Sequence, residues 1–146
     1  MSNKIFKGIW IVALSVFLAS LVFIMGISYN YFTGLQKSQL RNETELAAQG
    51  VANAGMNYFD GLNTEGYRIT WIGADGSVLY DNEADTSTME NHMERDEVKQ
   101  ALAEGYGEST RYSNTLSYKQ LYAAKRLPDG SVVRLSIVQM AVWALI

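Results

Sequence analysis

From Gly8 to Gln36 the chain runs 29 consecutive positions without a formal charge. No other feature limits its possible folds so strongly. Residues 9–33 are long enough, as helix, to cross the hydrocarbon core of a bilayer, which takes about 20 apolar residues, and they are read as a transmembrane helix. A cleaved secretory signal begins in the same way, with basic residues and an apolar run. Here the run exceeds the usual core of about 7 to 15 residues, and the stretch 26–32 offers no small-x-small cleavage site. An uncleaved anchor is therefore the favoured reading.

The flanks set its direction. The leader, residues 1–8, carries Lys4 and Lys7 and no acid, while the remaining ten of the 12 basic residues and all 15 acidic ones follow the span. By the positive-inside tendency the leader is cytoplasmic and residues 34–137 are extracytoplasmic. Tyr29, Tyr31 and Phe32 suit the outer interface. The expected location is the cell membrane, with lipid as the first partner.

Beyond the span the ten basic against 15 acidic residues leave a net charge of −5, which argues against nucleic acid or an anionic membrane surface as the main partner. There is no cysteine, so disulfides, thiolate catalysis and Cys-ligated metal sites are excluded. About a hundred residues remain for one modest core held by packing alone.

Residues 35–59 continue as an amphipathic helix. Leu40, Thr44, Ala47, Ala48, Val51, Ala54, Gly55 and Tyr58 recur at steps of three and four, and Asp60-Gly61 supplies a stop. Residues 67–72 and 77–81 form a hairpin about Asp75-Gly76. A polar, aperiodic loop at 82–95 is of the length that is either mobile or lines a site. Residues 96–104 form a short helix: Asp96 and Glu97 suit its positive end and Gly105 its stop. Strands follow at 107–113, 119–126 and 131–137, with turns at 114–117 and at Pro128-Asp129-Gly130. In the last strand Val133, Leu135 and Ile137 alternate with Arg134 and Ser136, which predicts one buried face. Residues 138–146 are apolar and read as the start of a truncated second transmembrane helix, or else as a small terminal helix packed on the domain. The fold class is α+β: a transmembrane helix, then a domain with a long N-terminal helix and a five-stranded antiparallel sheet.

The succession Tyr67-Arg68-Ile69-Thr70-Trp71-Ile72, Asp75-Gly76, Val78-Leu79-Tyr80-Asp81, Asn91-His92-x-x-Arg95, Gly107-x-x-x-Arg111-Tyr112-Ser113, Leu121-Tyr122-Ala123-Ala124 and Asp129-Gly130 resembles the extracytoplasmic sensor region of membrane sensor histidine kinases. The branch it resembles is the phosphate-regulon sensor kinase type of Gram-positive bacteria. The resemblance covers about Arg68 to Ile137. It implies a PAS-like or Cache-like domain with the long helix on one face of the sheet and helical or loop segments over the other. It also implies two bracketing membrane helices, then cytoplasmic dimerisation and ATP-binding regions, so that the parent would be a kinase of a two-component system.

No kinase part is among the 146 residues. The phosphoacceptor helix of that family needs His followed by an acid and, shortly after, a basic residue and proline. The single histidine stands in His92-Met93-Glu94-Arg95, which does not fit and lies on the other side of the membrane. Gly105-Tyr106-Gly107 is a lone GxG. No catalytic residue and no cofactor is assigned. The same kind of outer domain serves chemotaxis receptors and cyclic-dinucleotide enzymes, and a stand-alone tethered binding protein is a third reading.

Candidate ligand-binding residues are His92, Arg95, Arg111, Tyr112 and Tyr122. A histidine titrates near neutrality but also serves simply to hold its loop. Arg95 and Arg111 suit a carboxylate or phosphate, or else an internal salt bridge to Asp81, Glu90 or Asp96. Tyr112 and Tyr122 line a pocket or fill the core. Asp81 and Asn91 are read as structural loop residues. Residues 81–92 depart from a calcium loop, with Thr86 for the turn glycine and His92 for the final glutamate, so no metal is assigned. A homodimer through the N-terminal helix and an unknown small ligand or partner protein complete the expectations.

Overall fold

In the computed structural model of the protein, which describes residues 2–112 and 118–140, the apolar run belongs to helix α1, Ser2–Ala54. The chain divides into two compact units, Met1–Lys37 and Ser38–Ile146. In the first, every described residue is helical, and its apolar side chains point outward, Trp10 being 63% and Phe23 69% exposed. Among the described residues this is the one helix long and apolar enough to cross a membrane. Such a surface is unfavourable in water and suits hydrocarbon.

The second unit begins with the rest of α1, which tightens into a 3-10 turn at Gly55–Phe59 and stops at Asp60. Strands β1 (Arg68–Ile72) and β2 (Val78–Asp81) follow, joined through the expected Asp75-Gly76 turn with Gly73 donating to the Ser77 carbonyl at 2.7 Å. Helix α2 (Asp96–Glu104) ends on Gly105, whose φ of 92° only glycine adopts without strain. Strands β3 (Tyr106–Tyr112), β4 (Tyr118–Arg126) and β5 (Val132–Met140) complete an antiparallel sheet in the order β2-β1-β5-β4-β3. The architecture is α+β, as the residue pattern predicts.

Strand order explains what each face buries. The segment from β2 to β3 must cross from one sheet edge to the other, and it carries the loop and α2 over one face. On the opposite face α1 lays down Leu40, Ala47, Ala48 and Val51 with Phe59, against Ile69, Leu121, Ala123, Val133 and Leu135. The helical stripe read from the sequence is therefore used inside the domain. Thr44 joins it without penalty because its hydroxyl donates to the Leu40 carbonyl at 2.6 Å. Phe59 stacks on Tyr80 at 3.9 Å between centroids.

Two expectations are corrected. Arg134 and Ser136 do not face solvent: β5 is the central strand, so both its faces are covered and these residues are 4% and 3% exposed. Moreover, β5 does not stop at residue 137. Val138–Met140 remain in the sheet, Gln120 pairing with Val138 and Tyr118 with Met140, so the start of a second membrane helix is not at 138. The expected turn at 114–117, Ser113 and residues 141–146 lie outside the described residues.

Candidate functional site

The face under α2 has two parts. Nearest the helix is a small apolar cluster of Ile72, Val98, Ala101, Ala124 and Val132. Beyond it the same face carries Thr70 from β1, Asp81 from β2, Ser109 and Arg111 from β3, Tyr122 from β4 and Arg134 from β5. The register brings them together, since Thr70 pairs with both Asp81 and Arg134, and Tyr122 with both Ser109 and Ser136. Strand alternation then points these side chains the same way.

Glu97, the second residue of α2, enters this polar patch from above and is fully buried. Its Oε2 accepts hydrogen bonds from Ser109 Oγ and Arg111 Nη2, both at 2.6 Å, and Oε1 accepts from Arg134 Nη1 at 3.2 Å. Arg134 Nη2 donates to Thr70 Oγ1 at 3.2 Å, and that hydroxyl donates to Asp81 Oδ2 at 2.8 Å. Arg68 Nε closes the chain on both oxygens of Asp81 at 3.0 and 3.1 Å. Tyr122 forms an aromatic floor, its ring centroid 4.1 Å from the Arg111 guanidinium and 5.2 Å from that of Arg134. Three guanidinium groups thus face two carboxylates in one connected network.

Electrostatics follow from this arrangement. Burial pushes the Glu97 carboxyl up, but the Ser109 hydroxyl, backbone hydrogen bonding and the Arg111 and Arg134 charges outweigh it and hold the group below the usual carboxylate range. Asp81 is likewise held low against its burial by the amides of Glu83 and Ala84, by Arg68 and by Thr70. Both carboxylates are therefore charged at neutral pH.

His92 is buried at 4% exposure. Its Nδ1–H donates to the Glu90 carbonyl at 2.8 Å, its amide donates to the Gly76 carbonyl at 2.8 Å, and its carbonyl accepts from Arg95. Burial above all, with Arg134 and Arg95 adding repulsion, pushes the imidazole below its ordinary value. The ring thus holds its loop. Asn91 does similar work, donating from Nδ2 to the Asp75 carbonyl and accepting from the Met93 amide, both at 2.8 Å. A Cβ on Gly76 would collide with the Asn91 side chain, so the hairpin turn and this loop approach only because that turn residue is glycine. Asp81 anchors the start of the loop through the Glu83 and Ala84 amides, each at 2.9 Å.

Of the residues singled out from sequence, Arg111 and Tyr122 meet on this face with Asp81 nearby. Tyr112 does not join them. One position along β3 from Arg111, it points the other way and is 73% exposed, with Lys119 Nζ 5.8 Å from its ring centroid. Arg95 is exposed at the start of α2. The partner of Arg111 is Glu97 rather than Asp81, Glu90 or Asp96, and Asp81 belongs instead to Arg68.

Sequence reasoning missed Arg134, Glu97, Thr70, Ser109 and Arg68. A lone arginine amid apolar residues in the final strand was the available signal, but it reads as an outward residue until β5 is known to be central. Among the described residues no group of His, Asp and Glu is gathered closely enough to hold a metal ion. Comparison with known protein families and with curated proteins finds no match to this chain.

Proposed function

We propose that the chain is the membrane-anchored sensing region of a signalling protein, its α+β domain outside the cell and its leader inside, of the kind found in sensor histidine kinases. The observation that carries this reading is the construction of α1. One helix contains both the apolar run and the residues Leu40 to Val51 that pack on the sheet, so a shift of the domain's core has a covalent route to the membrane segment. The resemblance of residues 68–137 to sensor regions, and a sheet with the long helix on one face and a loop and short helix on the other, support it. Signalling would require two states of the domain whose populations a stimulus biases. The buried polar network is the part of the core held by directional pairings.

Absence of cysteine makes the topology directly testable. Lys4→Cys and Glu65→Cys both place a thiol at an exposed position. In intact cells a membrane-impermeant maleimide should label the Glu65→Cys chain, and label the Lys4→Cys chain only after permeabilisation. The reverse pattern, or labelling of both in intact cells, would overturn the orientation.

Dimerisation along α1 is part of the same proposal. Because Val51 is 2% exposed in its own domain's core, a second copy has to meet another side of the helix, where Leu46 is 66% exposed. Leu46→Cys should give a disulfide-linked dimer in membranes and Val51→Cys should not. A crosslink at Val51 alone would show that the domain opens to dimerise.

A further inference from the structure

Apart from Glu97's own backbone on α2, the surroundings of the Glu97 carboxylate are built by four strands. Arg111 and Ser109 come from β3, Arg134 from β5, the Tyr122 floor from β4, and Thr70 of β1 fixes the free end of the Arg134 guanidinium. Two guanidinium groups, a hydroxyl and an aromatic platform converging on one point constitute a receptor for a carboxylate. What α2 adds is Glu97, whose side chain fills the receptor and whose backbone hydrogen-bonds the same carboxylate.

We propose that this cradle is a carboxylate-binding site occupied in cis by the protein's own Glu97, so that α2 is a tethered ligand holding the face shut. A free small carboxylate competes poorly with a group delivered by the fold itself at high effective concentration. The site therefore responds to forces that lift α2 and not to small anions in solution. Gly107 supports the assignment. On β3, two residues before Ser109, it lets the α2 backbone come so close that an added Cβ would strike the Glu97 carbonyl and the Ala101 amide. The helix is seated deeply enough to bring a side chain to the cradle. The inference deepens the sensing reading but does not depend on membrane orientation, so it can fail while the labelling result stands, or the reverse.

Truncating Glu97 to alanine removes CH2–COO−, the atoms of acetate less one hydrogen, and leaves the arginines in place. The full chain in detergent is compared with its Glu97→Ala and Glu97→Gln variants by thermal unfolding in sodium acetate and in sodium chloride at matched ionic strength and neutral pH. For Glu97→Ala the expected result is a lowered Tm that acetate raises saturably by about 5 °C and chloride does not. The parent and Glu97→Gln, whose side chains fill the cradle, should not respond. A double variant Glu97→Ala/Arg111→Met should lose the acetate effect.

If Glu97→Ala is unfolded in chloride, recovery of its folded signal in acetate supports the proposal, and failure to recover overturns it. An acetate response of equal size in the parent would show an open site. An equal response in Glu97→Gln would place the effect elsewhere. A folded Glu97→Ala variant indifferent to acetate would show that the arginines do not form a receptor. Each of these three results overturns the proposal.

Discussion

The two faces of the sheet are covered by the same device, a helix laid across strands, yet they are held by different physics. Under α1 the contacts are those of Leu40, Val51, Phe59, Ile69, Leu121, Val133 and Leu135, where shape and burial matter and no partner is unique. Under α2 the contacts are directional, Glu97 to Arg111, Arg134 and Ser109. Adjacent residues of β5 feel this difference, Leu135 facing one environment and Arg134 the other. An apolar face tolerates small shifts because dispersion and burial vary smoothly with position. A buried charge network is satisfied or broken, and so is better suited to two-state behaviour.

The sharpest way to break the comparison is to remove one charge. Arg134→Ala leaves Glu97 with a weakened pairing in a fully buried position, and should cost about 3–5 kcal/mol, read as a lower denaturation midpoint of the full chain. Leu135→Ala, its neighbour, should cost a similar 2–5 kcal/mol through lost burial and a cavity. The faces differ in the next step. Replacing Glu97, Arg111 and Arg134 together by apolar residues of like volume should restore most of the stability, since desolvation of the charges is then no longer opposed to their attraction. No equivalent replacement rescues the other face. If Arg134→Ala costs nothing measurable, the network is not buried as described.

A smaller effect tests the seating of α2. Gly107→Ala should cost about 1–3 kcal/mol by forcing the helix backbone away from β3, and hydrogen exchange should rise in α2 before it rises in the core under α1. Uniform loss of protection would mean that the two faces open as one.

Acid provides a third test. For Glu97 and Asp81 the folded value lies below the ordinary ones of 4.5 and 3.8, so stability is full above those values and falls as pH drops toward the folded ones. His92 is also lowered, from 6.5, and its neutral form is the one the fold holds. It contributes stability above pH 6.5 that is lost as pH falls below it. The side chains acting on these three groups are Arg95, Arg111, Arg134, Ser109, Arg68 and Thr70. His92→Gln should remove the part of the acid transition that begins near pH 6.5, and Glu97→Gln the part that begins near pH 4.5. An unchanged profile in both variants would assign acid sensitivity to surface carboxylates. Smallest of all, Leu46→Cys should change stability by less than about 0.5 kcal/mol, because the side chain is 66% exposed.

Much of the fold was legible because it is locally encoded. Helix α2 falls at residues 96–104 as read, its start marked by Asp96-Glu97 and its end by Gly105, and the hairpin turn forms at Asp75-Gly76. The stripe along residues 40–51 was likewise visible at helical spacing. The site was legible in fragments. Arg111 and Tyr122 were singled out, but Tyr112 was grouped with them although adjacent strand residues face opposite ways. Glu97 was read only as a charge suited to a helix end.

The sequence by itself determined the apolar run, the order of helices and strands, and the turns that separate them, because each depends on side-chain spacing or on backbone angles available to a few residues. Only the tertiary structure decided that the last strand lies between the first and the fourth. Strand neighbours are chosen by pairing across tens of residues, which no local pattern specifies. That choice flanks Arg134 with a strand on each side and sets Glu97 over it, turning two charges that read as surface residues into a linked, buried pair.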